Sequence, residues 1–358
     1  MGKAVRMADI AARIGVSTVT VSKALAGKDG VSDEIREKIK ALAQEMGYRS
    51  AGYGTRAVKR TGNIGILIPA RFIVKGRSFY WKLYESMVRK LAESGYYGIL
   101  EIVQHEEEQG LAEPHTLQDR KIDGIVLVGP AESAYRDMLR KVPDIPVLFL
   151  DSYDVFNAND GIISDGYHGM CEVTRHLIEL GHRDICFVGS LNVTSSINDR
   201  YSGYCRAMLE YGVSVTPQMT LPDRTPDGDV RIDLPEAFER EMPTAFVCNC
   251  DTTACLLVRT LRERGLRVPE DVSVAGFDDY VYPGFEDMGL TTYSVDTDAM
   301  VQACVGRLMK KIANPRSPLE LKTIPGHLIV RKTTGPARSA KPESLRRETV
   351  PSGVPGAV

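Results

Sequence analysis

Residues 7–25, MADIAARIGVSTVTVSKAL, decide how the N-terminal part of this chain folds. Met7, Ile10, Ala11 and Ile14 recur at i, i+3, i+4 and i+7, one apolar stripe on a helix. Gly15 ends that helix, because glycine enters the left-handed conformation of a C′ residue without a Cβ clash. Ser17 then caps a second helix, its hydroxyl able to accept an orphan backbone N–H. This second helix is rich in Thr and Ser, and its apolar face is narrow: Val21, Ala24 and Leu25. So polar a helix makes a poor core element but suits a groove of DNA, which predicts a helix-turn-helix whose second helix reads bases.

A third helix completes the unit. Ser32 caps it, Asp33 and Glu34 in its first turn favour its dipole, and Gly47 ends it. Ile35, Ile39, Leu42, Ala43 and Met46 form its expected buried stripe. Three such stripes close a core of about 50 residues, near the lower size limit for independent folding. An ordinary three-helix piece without DNA contact is the competing account, and it leaves the polar middle helix unexplained. Charge favours the DNA reading. Residues 1–62 hold 12 Lys/Arg against 6 Asp/Glu, while the remainder holds 33 against 41, so a formal net charge of −2 hides a basic head on an acidic body. A basic head condenses on phosphate, and an acidic body limits sticking elsewhere.

The chain's 358 residues exceed one compact core and suggest two or three domains. Hydrophobic residues at 43% and charged residues at 26% fit a soluble globular protein. The opening MGKAVRMADI lacks the apolar run of a signal peptide, and no later stretch is long enough to span a membrane. Seven cysteines without a small-domain framework point to reduced thiols and a cytoplasmic protein. Cys248, Cys250 and Cys255 are read as buried thiols rather than metal ligands.

Beyond residue 62 the pattern alternates. Strand candidates are 64–68, 99–103, 124–128, 147–150, 185–188, 244–248 and 272–275, and helical stretches cover 81–94, 167–180, 200–211, 254–264 and 298–312. Short all-apolar strands separated by helices predict an α/β body with parallel sheets covered on both faces. The run is too long for one such unit, so two Rossmann-like lobes are expected, with a ligand cleft at the carboxyl ends of the strands.

The segment VRMADIAARIGVSTVTVSKALAGKDGVSDEIREKIKALAQEMGY resembles the headpiece of the lactose-repressor/galactose-repressor (LacI/GalR) family of bacterial transcription regulators. The resemblance runs on to about residue 336, and GLRVPEDVSVAGFDDYVYPGFEDMGLTTYSVD, residues 265–296, looks like that family's late ligand-binding segment. It implies a periplasmic-binding-protein-like body whose chain crosses between lobes three times, placed near 160–165, 291–296 and 324–328. The expected organisation is a headpiece at 1–49, a hinge linker at 50–62, an effector-binding and dimerisation body at 63–336 and a disordered tail at 337–358. That tail shows no heptad stripe, so a homodimer rather than a tetramer is expected.

Positions carried over from the resemblance give Thr18, Val19 and Lys23 as base-reading residues, with methyl groups for thymine and an ammonium for guanine or phosphate. Ser17, Thr20, Ser22 and Ser32 match phosphate-contacting places, and Tyr48 matches the aromatic after the third helix. The hinge departs from the pattern. Ser50 and Ala51 stand where relatives have Pro and Asn, and Ala57 stands at the minor-groove wedge, with Val58 one residue away. Alanine is a poor wedge, and Gly52 and Gly54 each lower helix propensity by roughly 1 kcal/mol. A flexible basic linker carrying Arg56, Lys59 and Arg60 is the alternative reading of this segment.

For the effector, Phe79 and Tyr80 match aromatic places that line the ligand, with ordinary lobe packing as the competing account. Asp151, Ser196, Arg200, Asp251 and Asp278 match polar ligand-contacting places, and carboxylates around one arginine suit a polyhydroxy molecule. The expected function is a DNA-binding regulator, most simply a repressor, controlled by a sugar or sugar derivative. A co-repressor-dependent regulator sensing a nucleobase or other metabolite remains open. So does a cytoplasmic sugar-modifying enzyme, since such a body hosts many activities. No GxGxxG after a strand, GxxxxGK[ST] or GxSxG motif occurs, and neither a cofactor nor a metal is expected. HEEEQGLAEPH, residues 105–115, reads as a solvated loop rather than a metal site. A secreted transport protein is opposed by the basic head. A gel shift on a palindromic fragment separates a regulator from either alternative.

Overall fold

The computed structural model describes residues 5–25, 30–46, 60–73, 78–118, 121–225, 229–280 and 284–338. The chain divides into two units, Met1–Arg60 and Thr61–Val358.

In the first unit, α1 (Met7–Ile14), α2 (Thr18–Leu25) and α3 (Asp33–Glu45) close on Ile10, Ala11, Val21, Ala24, Ile39 and Ala43. Gly15 takes φ +79° and returns its N–H to the Ala11 carbonyl at 2.9 Å, the left-handed cap its position called for. Ser17 Oγ accepts the Thr20 N–H at 3.0 Å, satisfying an orphan donor of α2. One expected core residue is corrected. Ile35 is exposed, because the packing on the two eight-residue helices centres on Ile39 and Ala43, one and two turns further on.

The second unit holds two six-stranded sheets. The first lobe contributes β1 (Asn63–Pro69), β2 (Tyr97–Val103), β3 (Gly124–Val128), β4 (Val147–Leu150), β5 (Gly161–Ser164) and, much later, β11 (Leu321–Ile324). These run parallel in the order β11-β5-β4-β3-β1-β2. The second lobe contributes β6 (Ile185–Val188), β7 (Thr220–Leu221), β8 (Ala245–Cys248), β9 (Ser273–Asp278), β10 (Thr291–Ser294) and β12 (His327–Ile329). Its order is β12-β10-β9-β8-β6-β7, parallel except for β12. The helices are α4 (Phe79–Glu93), α5 (His105–Gln109), α6 (His115–Gln118), α7 (Ser133–Arg140), α8 (Gly166–Glu179), α9 (Ser195–Glu210), α10 (Asp251–Glu263) and α11 (Thr297–Ala313). The fully apolar runs became central strands. Those not foreseen, β5, β7, β10, β11 and β12, are two to four residues long, and β7, β10 and β11 are polar or half polar.

Residues 105–115 differ from the solvated loop expected of them. They form α5 and the start of α6, and Glu108 is fully buried beneath Arg71, which donates to both of its oxygens, while Glu132 N–H adds a third bond. A buried carboxylate survives only with such partners. The seven cysteines are all free, and Cys186, Cys248, Cys250, Cys255 and Cys304 are buried.

The chain passes between lobes after β5, after β10 and after β11. The first two passages use the same device. Asp165 and Asp296 each cap the helix that follows, accepting His168 N–H at 3.0 Å and Ala299 N–H at 2.9 Å. At the third, Gly326 donates to the Tyr293 hydroxyl at 2.8 Å, and a Cβ there would collide with the Ser294 carbonyl. Residues 333–338 lie on the second lobe. His182 meets Thr244 Oγ1 at 3.0 Å, Ser273 Oγ at 3.1 Å and the Gly335 carbonyl at 3.0 Å, and Ala337 N–H bonds the Leu180 carbonyl at 2.8 Å.

Candidate functional site

Two surfaces carry the residues singled out by sequence. On the first unit, Ser17, Thr18, Val19, Ser22 and Lys23 are exposed and Thr20 is half-buried, while Val21 and Ala24 face the core. Val19 is 62% exposed, an isopropyl group left in solvent by a helix whose next residue inward is fully buried. A surface of methyls, hydroxyls and one ammonium on a single short helix is what reading a major groove requires. Ser32 is exposed beside the start of α3. Tyr48, Ala57 and residues 50–59 of the linker lie outside the described residues.

On the second unit, the carboxyl ends of β4 and β9 each end on an aspartate in the left-handed region, Asp151 at φ +60° and Asp278 at φ +113°. Non-glycine residues hold such backbone only where surrounding structure over-determines it. Asp151 Oδ2 accepts the Tyr80 hydroxyl at 3.2 Å, and Oδ1 accepts Ser164 Oγ at 3.3 Å. Tyr80, in the first turn of α4, packs on Phe72 with ring centroids 4.8 Å apart. It also lies over Gly129, at φ +83°, where a Cβ would approach its ring to 3.0 Å. Glycine is needed there for both reasons.

From the other lobe, Arg200 on α9 donates Nη2 to Asp278 Oδ1 at 3.0 Å and Nη1 to the Asn249 carbonyl. Its guanidinium sits 4.0 Å over the Phe277 ring. Arg200 Nε is buried with no partner, and so is the hydroxyl of Ser152 beside Asp151. A hydrogen bond that does cross between the lobes runs from the Tyr153 hydroxyl, which donates to Asp199 Oδ1 at 2.8 Å.

The electrostatics show that these groups act on one another across the lobes. Burial pushes the Asp151 carboxyl up, while Arg200 and the hydroxyls of Tyr80 and Ser164 pull it back. Burial raises Asp278 also, with Arg200 opposing and Asp151 reinforcing the rise. Tyr80 is raised by burial and then by both aspartates. Burial disfavours the charge on Arg200, yet Asp278 and Asp151 hold its pKa above the ordinary value. One cation thus sits among carboxylates whose own charges are costly, an arrangement that a ligand's hydroxyl donors and acceptors would complete.

Not every expected residue joins this cluster. Phe79 is buried in the core behind Tyr80, edge-on to it at 5.6 Å. Ser196, one turn before Arg200, shares a hydrogen with Thr194 Oγ1 at 3.0 Å. Asp251 is buried and engaged locally, accepting Thr292 Oγ1 at 2.7 Å and Tyr280 N–H at 2.9 Å, so it joins α10 to β10. Sequence reasoning passed over Asn249, Phe277 and the fully buried Asp223. Asp223 accepts Asn249 Nδ2 and Thr253 Oγ1 at 2.6 Å each and Ser190 N–H at 2.9 Å. Polar residues directly after all-apolar strands, Asn249 after AFVC and Ser190 after ICFVG, were the available signal. Among the described residues no group of three His, Cys, Asp or Glu is placed to hold a metal, and no helix is long and apolar enough to cross a membrane.

Comparison with known proteins matches residues 6–50 to the model of bacterial regulatory proteins of the lacI family, and residues 174–334 to that of the periplasmic binding protein-like domain. The HTH-type transcriptional regulator DegA of Bacillus subtilis is 26% identical over 335 residues, covering 92% of this chain and 97% of the relative. The HTH-type transcriptional repressor PurR of Pectobacterium atrosepticum is 26% identical over 336 residues, with 92% and 97% covered. Among solved structures, the transcriptional regulator CelR–cellobiose complex superposes with a TM-score of 0.67 at 22% identity, over 92% of this chain and 99% of that one, a likeness of fold. With its basic helix-turn-helix unit followed by a two-lobed parallel α/β body, the chain belongs to the LacI family of bacterial regulatory proteins.

Proposed function

We propose that this chain is a cytoplasmic transcriptional repressor whose operator affinity is set by a sugar or sugar derivative held between the lobes of its second unit. The carrying observation is the cluster of Tyr80, Asp151, Arg200 and Asp278, drawn from both lobes, with two of its members on strained backbone and Arg200 Nε lacking a partner. Hydroxyls both donate and accept, so a polyol meets the carboxylates and Nε at once. The complex of CelR with cellobiose supports a sugar, and the relatives named PurR keep a purine-type ligand as the competitor to be tested.

Ser17, Thr18, Val19, Thr20, Ser22, Lys23 and Ser32 are the residues assigned to DNA, and a homodimer brings two such faces to the half-sites of a near-palindrome. The ligand alters operator affinity only by its differential affinity for the two arrangements of the lobes. Gel shifts on palindromic fragments, with and without compounds from a thermal-shift panel of sugars, sugar phosphates and nucleobases, test the whole proposal. A sugar that stabilises the protein and changes the gel shift supports it. Stabilisation by nucleobases alone would transfer the site to the competing ligand, and binding to all DNA equally would remove the regulator.

A further inference from the structure

The polar groups of the cleft are sealed. Asp151, Arg200, Asp278 and Cys250 are each 8% exposed or less, so a sugar-sized molecule reaches them only when the lobes part. Asp151 follows β4 of the first lobe, whereas the other three belong to the second. Whatever joins the lobes at the rim therefore controls access.

Two residues beyond Asp151, Tyr153 donates its hydroxyl to Asp199 Oδ1 at 2.8 Å, and Asp199 directly precedes Arg200 on α9. Successive helical residues point about 100° apart. Arg200 thus turns into the cluster, while Asp199 and Tyr153 stay half-buried at the rim. Burial pushes the Asp199 carboxyl up, and Tyr153 and Arg200 pull it back.

Each partner is held by its own lobe. Arg136 on α7 donates Nη1 to the Tyr153 carbonyl at 2.8 Å and Nη2 to Ser133 Oγ at 3.1 Å. Asp154 fixes the turn that follows. Its Oδ1 accepts the N–H of Phe156 at 2.9 Å and that of Asn157 at 3.3 Å, and its Oδ2 accepts Arg140 Nη2 at 3.4 Å. On the other side, Gly166 at the start of α8 lies against the stems of both acidic and basic neighbours. A Cβ there would come within 3.4 Å of Asp199 Cβ and 3.3 Å of Arg200 Cγ. Partners fixed in this way bond without first ordering a loose loop, so more of the bond's free energy goes to holding the lobes together.

We propose that Tyr153 and Asp199 form a latch that holds the lobes shut over the cluster, so that one hydrogen bond sets how often the ligand site opens. The proposal rests on reading that cluster as the ligand site. Both are positioning residues, acting on access to the cleft rather than on the ligand itself. Removing the bond should raise the open fraction about tenfold, equivalent to roughly 1.4 kcal/mol. That is near the low end for a hydrogen bond with a charged partner.

Cys250 reports opening without any ligand. It follows Asn249, whose carbonyl accepts Arg200 Nη1, and it is shielded with them. Labelling of the full-length protein by N-ethylmaleimide, quantified for each cysteine by peptide mass spectrometry, measures how often that thiol is uncovered. Cys186 in β6 and Cys304 in α11 are fully buried in separate lobes and serve as controls that only unfolding uncovers. Tyr153→Phe removes the donor and keeps the ring, and Asp199→Ala removes the acceptor and keeps the Cβ beside Gly166. Each single variant should speed Cys250 labelling about tenfold and the double variant no further, with Cys186 and Cys304 as slow as in wild type. An unchanged Cys250 rate in Tyr153→Phe overturns the latch. So do rises that multiply in the double variant, because the two groups would then act independently. Equal acceleration at all three cysteines overturns it too, since the whole body would have loosened. Neither sugar nor DNA enters this assay, so its failure leaves the cleft proposal standing, and failure of the thermal-shift panel removes the ligand but not the latch.

Discussion

Replacing Arg200 with methionine isolates what its charge does. Methionine keeps a flexible apolar stem on the Phe277 ring but removes the bonds to Asp278 and Asn249 and the positive charge between Asp151 and Asp278. Breaking a buried ion pair from one side typically costs about 3–5 kcal/mol. Here the cost is smaller, because burial and Asp151 already push the Asp278 carboxyl up, and the abandoned group takes a proton instead of remaining charged. About 2–3 kcal/mol at pH 7.5 is the expectation, or roughly 3–5 °C in Tm for a body of this size.

The sign with pH follows from that proton. A carboxylate whose folded pKa is raised binds its proton sooner in the folded state than in the unfolded one, so it favours folding increasingly as pH falls towards the unfolded value near 4. Removing the arginine raises Asp278 further, hence the gap between variant and wild type should narrow at pH 5.5. Adding Asp278→Asn should recover half or more of the loss at pH 7.5, since no charge is then left alone. Thermal melts of wild type, Arg200→Met, Asp278→Asn and the double variant at two pH values decide it. Equal Tm for Arg200→Met and wild type at pH 7.5, or a deficit that grows in acid, refutes the electrostatic account. Operator binding without effector should be unchanged, because the headpiece carries its own core.

Three further outcomes are expected. Asp278→Asn alone should flatten the dependence of Tm on pH between about 4 and 7, measured against wild type in the same buffers, because it deletes one carboxyl whose folded pKa is raised. Ser17→Ala should cost about 1 kcal/mol of headpiece stability through the lost bond to Thr20 N–H, read from the helical signal of the isolated N-terminal segment or from its protease resistance in the full chain. Gly169→Ala should destabilise the body by about 1–3 kcal/mol in denaturant melts, since the new Cβ would lie 2.7 Å from Tyr293 and 2.8 Å from Phe277, the ring beneath Arg200.

The headpiece was legible because its signals are local. A stripe, a glycine and a capping serine each act within four residues, and the structure places Gly15 and Ser17 in those roles. Ile35 was misjudged because periodicity gives the face of a helix but not how far along it a neighbour reaches. The central strands were legible because burial on both faces leaves only apolar residues. By contrast β5 and β10, the strands from which the chain leaves each lobe, are four residues long and end in a serine one or two residues before the aspartate that caps the following helix. Their sequences, GIIS and TTYS, therefore carry little strand signal.

The cleft was half legible for a similar reason. Asp151 and Asp278 stand out as charges at strand ends, whereas Asn249 contributes through a backbone carbonyl that every residue possesses. Glu108 shows the same limit from the other side, since three adjacent glutamates read alike until Arg71, 37 positions earlier, selects one to bury. That choice bears on function. Arg71 stacks 4.9 Å from Phe72, and Phe72 packs on Tyr80, so the pair of exposed Arg71 and buried Glu108 supports the aromatic wall facing Asp151. Glu108→Gln, keeping size while removing the charge, should therefore weaken binding of a cleft ligand by several-fold in calorimetric titrations, with Arg200 and Asp278 untouched. Unchanged affinity in a folded Glu108→Gln protein would show that Tyr80 holds its place without that support.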